Sequence, residues 1–206
     1  MAVIQMPPDM RIKSATWGQK RNDLGFNSGV FGTQSVEVGA PQWTASLEIA
    51  VQNEYQEATW QALMLQLQGQ KNQLELWNVG RPVPHGTLRG NLSTSRDALQ
   101  GSTTAGIDTG TGSPGDDLHI GDFIGIGQTG SSYQLVMITQ YCTSDPQGIM
   151  EITFEPPLRH DVLIGEHVYC DKPTTFFRRT SNQISWQYET TFVNGMRLDL
   201  IEDVRP

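Results

Sequence analysis

Between Leu118 and Arg159 the chain is punctuated so regularly that little besides a compact antiparallel β unit can be built from it. Gly121-Asp-Phe-Ile-Gly-Ile-Gly127 is followed by an alternating run from Tyr133 to Tyr141. An Asp145-Pro-Gln-Gly148 turn, a second run from Ile149 to Phe154 and then Pro156-Pro-Leu-Arg159 complete the segment. Period-two alternation between corners of Gly, Pro and Asp is the pattern of short strands joined by tight turns. The rest of the composition agrees, since 21 glycines and 11 prolines favour turns and strands over long helices.

At 206 residues the chain can bury one large core or two small ones. Its 14 basic and 22 acidic residues leave a formal charge of -8, which disfavours a general nucleic-acid or anionic-membrane surface and points to proteins as partners. No apolar run approaches the roughly 18 residues that span a bilayer, and the Met1-Ala-Val-Ile-Gln5 start lacks the basic and apolar regions of a signal peptide. Synthesis in a cytoplasm is therefore expected. There Cys142 and Cys170 read as two reduced, half-buried thiols, although they could pair if their strands are neighbours. Neither has the spacing of a zinc ligand.

Trp43, Ala45, Leu47, Ile49 and Val51 mark one face of a half-buried strand. Asn53 can cap a helix over about 54–68, with Glu54 and Glu57 in its first turn. Trp60, Leu63, Met64 and Leu67 form its apolar stripe, and Gly69 stops it. Strands are expected at Leu74–Trp77 and Thr87–Ser93, on either side of a Pro82-Val-Pro-His-Gly86 loop. Residues 95–114, rich in Gly, Ser and Thr, read either as a linker or as a bent hairpin opening a second module. Strands at 174–179, 184–192 and 197–201 follow, the last two joined by an Asn194-Gly195 turn. Near the start, strands are expected at Ile12–Trp17 and Val30–Val38, separated by a Gly- and Asn-rich loop. The expected fold is mainly β, with a β-sandwich and one helix formed by 1–94 and 174–206 and a small antiparallel barrel-like module inserted at 95–173.

Several residue groups invite a chemical reading. Asp116, Asp117, His119 and Asp122 are the densest set of candidate metal ligands, but they lack the alternation and closing glutamate of an EF-hand loop, and Asp117 and Asp122 suit turns. In Arg159-His160-Asp161 a histidine adjoins an aspartate, yet neighbours in sequence point apart and no nucleophile motif accompanies them. His85, with Arg81 nearby, reads as a loop histidine. Gly125, Gly127 and Gly130 resemble a phosphate cradle without the helix that one requires, which leaves a β-turn. Asn91-Leu-Ser is a formal glycosylation sequon of no consequence in a cytosolic product. Trp17, Trp43, Trp60, Trp77 and Trp186 read as core rings, with sugar binding the rival use. No catalytic, cofactor-binding or metal-binding residue is expected.

The order of elements from Gly121-Asp122 through the Asp-Pro-Gln-Gly turn to Pro156-Pro-Leu-Arg159 resembles a segment of the distal tail proteins of long-tailed bacteriophages. The resemblance implies a belt domain that forms a ring, expected to be a hexamer, where the tail tube meets the baseplate or hub. It implies tube and hub proteins as partners, and a virion product synthesised in the host cytoplasm. In that family the Pro156-Pro157 turn would close the small barrel, with Leu158 packed inward and Arg159 facing an acidic group. The alternatives are a head-tail connector or tail-terminator ring, or a tail module that binds a host receptor or carbohydrate.

Overall fold

The computed structural model describes residues 1–8, 11–29, 32–50, 54–90, 92–110, 115–127, 134–185 and 196–205. In chain order the elements are β1 (Val3–Gln5), β2 (Ile12–Ser28), β3 (Gly32–Ile49), α1 (Glu54–Gln66), β4 (Gln73–Trp77), β5 (Leu92–Thr94) and β6 (Thr104–Asp108). There follow β7 (Asp117–Leu118), β8 (Phe123–Ile126), β9 (Gln134–Ile138), β10 (Cys142–Thr143), β11 (Ile149–Glu155), β12 (His167–Tyr169), β13 (Thr174–Arg179) and β14 (Met196–Glu202). The fold is mainly β with one helix. The chain divides into two compact units, Met1–Leu76 with Phe176–Arg205, and Trp77–Thr175.

In the first unit one six-stranded sheet has the order β1-β4-β13-β14-β3-β2. β14 lies antiparallel to β3 over Met196–Ile201 and Thr44–Ile49, so the sheet is completed by the last strand of the chain. The alternation of β3 does what its sequence demands. Trp43, Ala45, Leu47 and Ile49 are buried, and the residues between them are half-buried. On α1, Trp60, Leu63 and Met64 are buried, and Leu67 just beyond it is fully so, the i, i+3, i+4, i+7 stripe of a helix with one apolar side. The helix ends at Gln66, two residues before the expected boundary, because Gln68 and Gly69 both adopt left-handed conformations, with φ of 48° and 69°. The proposed cap, Asn53, lies outside the described residues, as do Val51, Trp186, most of the 184–192 strand and the Asn194-Gly195 turn.

The second unit is a closed barrel of order β11-β6-β5-β12-β8-β9, with antiparallel pairing throughout. Leu92, Ile107, Ile124, Val136, Ile152 and Phe154 are among the side chains that fill it. β7 and β10 form a separate two-stranded ribbon.

One boundary differs from the sequence expectation. The units divide after Leu76 and not after Thr94, because β5 is a barrel stave that pairs with β6 and β12, while residues 84–88 are tied by hydrogen bonds to the 117–122 segment. Of the two readings of the stretch from 95, the hairpin opening a second module is the one found and the linker is not: it holds β6, which pairs antiparallel with β5 and with β11 from Thr104 to Asp108 and buries Ala105 and Ile107 completely. Small polar residues there look outward, and two apolar ones suffice to seat a stave.

Candidate functional sites

The candidate metal cluster is drawn together, but as a set of loop clamps. Asp122, 1 % exposed, accepts hydrogen bonds on Oδ1 from the amide of His85 (2.8 Å) and on Oδ2 from the amides of Gly86 (3.1 Å) and His119 (2.8 Å). His85 Nδ1 lies 3.2 Å from Oδ1 as well. Burial pushes this carboxyl up, but the amides of His85, His119 and Gly86 outweigh it and hold it below the usual range. Oxygens so fully used by protein donors have little left for a cation.

Asp117 does similar work nearer the surface. It receives the Thr87 amide (2.7 Å) and hydroxyl (2.9 Å) on Oδ1, while His119 Nε2 (3.0 Å) and Tyr141 OH (3.2 Å) reach Oδ2. The Thr87 bonds, the amide first, lower its carboxyl to about 2. Together Asp117, on β7, and Asp122, just before β8, fasten residues 85–87, including the histidine read as a loop residue, to the second unit. Gly86 must be glycine here, since a Cβ would stand 2.1 Å from the Asp117 carbonyl oxygen. Among the described residues no group of three or more His, Cys, Asp or Glu side chains could hold a metal ion.

Arg159-His160-Asp161 and the Gly125–Gly127 segment, weighed separately in the sequence, meet at one cleft of about 200 Å³, lined by Ile126, Gly127, Gln134, His160, Asp161, Val162 and Glu166. Its polar groups are largely engaged. Gln134 Nε2 donates to the Pro157 carbonyl (2.7 Å), and its Oε1 accepts the Arg159 amide (2.7 Å). Asp161 Oδ1 accepts the amide of Gln100 (2.8 Å). Among the described residues no hydrogen bond links His160 to Asp161. Gly125 lies inside β8 with Pro173 Cβ 3.5 Å from where a Cβ would be, a packing role; Gly130 lies outside the described residues. Leu158 packs into the barrel core.

The tryptophans divide. Trp43 and Trp60 are buried, and Trp17 is half-buried, edge-on to Phe177 at 5.3 Å. Trp77 is half-buried, with Lys172 Nζ 5.5 Å from its ring centre. Cys142 and Cys170 are buried free thiols, and burial pushes them up to about 11 and about 12.

The feature missed by sequence reasoning is at the other unit. β2 and β3 were expected as two short strands around a loop, yet they pair continuously from Ile12↔Ile49 to Ser28↔Gly32. Register shifts occur between Lys20 and Asp23, and the paired residues beyond them, to Ser28 and from Gly32 to Glu37, form a ribbon roughly 20 Å long at ~3.4 Å per residue. One face carries Leu24 opposite Val36, with Phe26 and Val38 beside them, and these are 53 %, 53 %, 60 % and 62 % exposed respectively. The other carries Asp23 opposite Glu37, with Arg21 3.4 Å from each carboxylate. Leu24-Gly-Phe26 and Val36-Glu-Val38 around Gly29 and Gly32 were the available signal. Compared with known proteins, the chain matches no family model and no curated protein.

Proposed function

We propose that the chain is a structural ring protein of a phage tail, similar to distal tail proteins, that joins the tail tube to the baseplate or hub. The observation that carries the reading is the β2–β3 ribbon. A two-stranded hairpin alone is marginal in water, and one that leaves Leu24, Phe26, Val36 and Val38 in solvent needs a surface to cover it. The occupant proposed is a second copy of the chain. β2 is one edge of the six-stranded sheet, and at the opposite edge, β1, Val3 is 50 % exposed. Val204 is 43 % exposed and belongs to the same edge: its neighbour Asp203 accepts Gln73 Nε2 (2.9 Å), and the Gln73 amide donates to Ala2 (3.0 Å). Two different apolar patches at opposite edges of one sheet give a head-to-tail contact, which closes into a ring when the rotation allows. The inserted small barrel agrees with the family resemblance, and tube and hub proteins are the further partners that it implies.

Light scattering and negative-stain microscopy of the purified chain, alone and with a candidate tube or hub protein, test the reading. Closed rings are expected, sixfold by the resemblance, and Leu24→Asp with Phe26→Asp should leave folded monomers. Monomers at every concentration, with and without the tail partners, would sink it.

A further inference from the structure

The barrel carries an exposed apolar tip that its own fold does not use. Ala98 and Val162 form an isolated antiparallel bridge, with both side chains buried, so the residues on either side of each point outward. Three of those in or next to this position are large and aliphatic: Leu99, 69 % exposed, Leu163, 54 %, and Ile164, 66 %. Their loops are held firmly. Asp97 Oδ1 accepts the Ile164 amide (2.7 Å), Asp161 Oδ1 accepts the Gln100 amide (2.8 Å), and Thr94 Oγ1 donates to the Leu163 carbonyl (2.5 Å). Apolar side chains fixed on a pre-ordered platform lose little entropy on being covered, which is what a binding surface requires.

The charge around the tip chooses the partner. Asp97 and Asp161 flank the three aliphatic residues, both are exposed, and neither forms an ion pair among the described residues; the nearby Arg96 is taken by Glu151. Asp161 also lines the cleft of about 200 Å³. Small-molecule sites run from roughly 300 to 1,000 Å³, so this cleft suits a single long side chain better than a whole ligand. Two carboxylates on a chain of charge -8 repel an anionic lipid surface and attract a cation.

We propose that Leu99, Leu163 and Ile164, with Asp97 and Asp161, form a docking site for a partner polypeptide segment in which apolar side chains alternate with lysine or arginine. The site is on the barrel and does not depend on the ring reading. The aliphatic residues exclude water, and the carboxylates select the sign of the partner and orient it.

Methyl NMR of the full chain tests this, titrated with the hexapeptide Lys-Leu-Lys-Leu-Lys-Leu and with Glu-Leu and Lys-Ser counterparts of equal length. Only the first should shift the Leu99, Leu163 and Ile164 methyls. Leu163→Ser with Ile164→Ser should weaken it at least tenfold. Asp97→Asn with Asp161→Asn keeps the amide-accepting oxygens and removes the charge, so it should weaken binding several-fold and flatten its dependence on salt, a result that stands even if the serine variant folds poorly. Leu24→Asp in the ribbon should leave the titration unchanged. No shift up to millimolar peptide, an equal response to the Glu-Leu peptide, or shifts centred elsewhere would overturn the proposal. So would displacement of these methyls by phosphatidylglycerol vesicles in place of the peptide, which would make the tip a lipid contact.

Discussion

Asn72 closes the end of α1 by donating its amide Nδ2 to the Gln66 carbonyl at 2.7 Å, while its Oδ1 accepts the backbone amide of Ala2 at 3.2 Å. One buried side chain thus satisfies an orphan carbonyl of the helix and holds the segment that leads into β1. Asn72→Asp removes the donor and sets a negative charge against the helix C-terminus. It should cost about 2 to 3 kcal/mol in urea unfolding, more than Asn72→Ala, and a cost of a few tenths would show that the helix end is not held there.

Asp117 gives stability a defined acid limit. Its folded value, about 2, lies below the 3.8 of a free aspartate, so its contribution is fully present above about pH 4 and is lost as pH falls through 2. Between pH 4 and 2 the wild-type midpoint should therefore fall more steeply than that of Asp117→Asn. Parallel curves would mean that the Thr87 bonds do not form in solution.

Two glycines with different constraints separate crowding from backbone strain. Gly86 would place a Cβ 2.1 Å from the Asp117 carbonyl oxygen, whereas Gly165 has open space around it and a φ of +84°. Gly86→Ala should destabilise by about 3 kcal/mol or more as the loop is pushed off the barrel, and Gly165→Ala by only about 1 to 2 kcal/mol. Denaturant midpoints decide, and equal losses would contradict the packing at Gly86.

The polar composition of residues 95–114 left linker and hairpin undecided, and native-state hydrogen exchange should show the stave. Amides of 104–108 bonded to β11 are expected among the slowest to exchange, and those of 23–28 and 33–37 among the fastest in the monomer. On assembly the second group should slow. Rapid exchange through 104–108 would restore the linker.

Trp60 is fully buried, and its indole N–H has no acceptor among the described residues. Trp60→Ala should cost about 3 to 5 kcal/mol by loss of packing. Trp60→Phe, which removes the unsatisfied donor as well as part of the ring, should cost well under half of that. Thermal melts of both variants check the ratio.

What was readable in the sequence were the places where one element dictates its own pattern. The stripe of α1, the alternation of Trp43–Ile49 and, among the described residues, the Gly121 corner, the Asp145–Gly148 turn and the Pro156-Pro157 stop fell where periodicity and turn chemistry put them. What was not readable depends on partners distant in sequence. Leu92–Thr94 has the same local character in either unit, and only its pairing with β6 and with His167 and Val168 of β12 assigns it to the barrel. The ribbon escaped because its glycines and asparagines resemble a loop until the two halves are laid side by side. Asp122 was legible as a residue beside a turn, whereas Asp117 lies in β7, and which amides the two would clamp was not legible, since Asp122 reaches back to His85 and Gly86.

The pairing of β3 with β14 also sets an order of events during synthesis. Ile49 meets Met196 only after every residue of the barrel has left the ribosome, so β3 waits with one side unpaired while the inserted unit is made. A long stretch of chain between two strands slows their meeting, and a barrel that has already folded shortens that stretch in effect. The insertion thus acts on the time at which the sheet closes: variants that delay the barrel should prolong the exposure of β3, and aggregation during translation is the form that the delay would take.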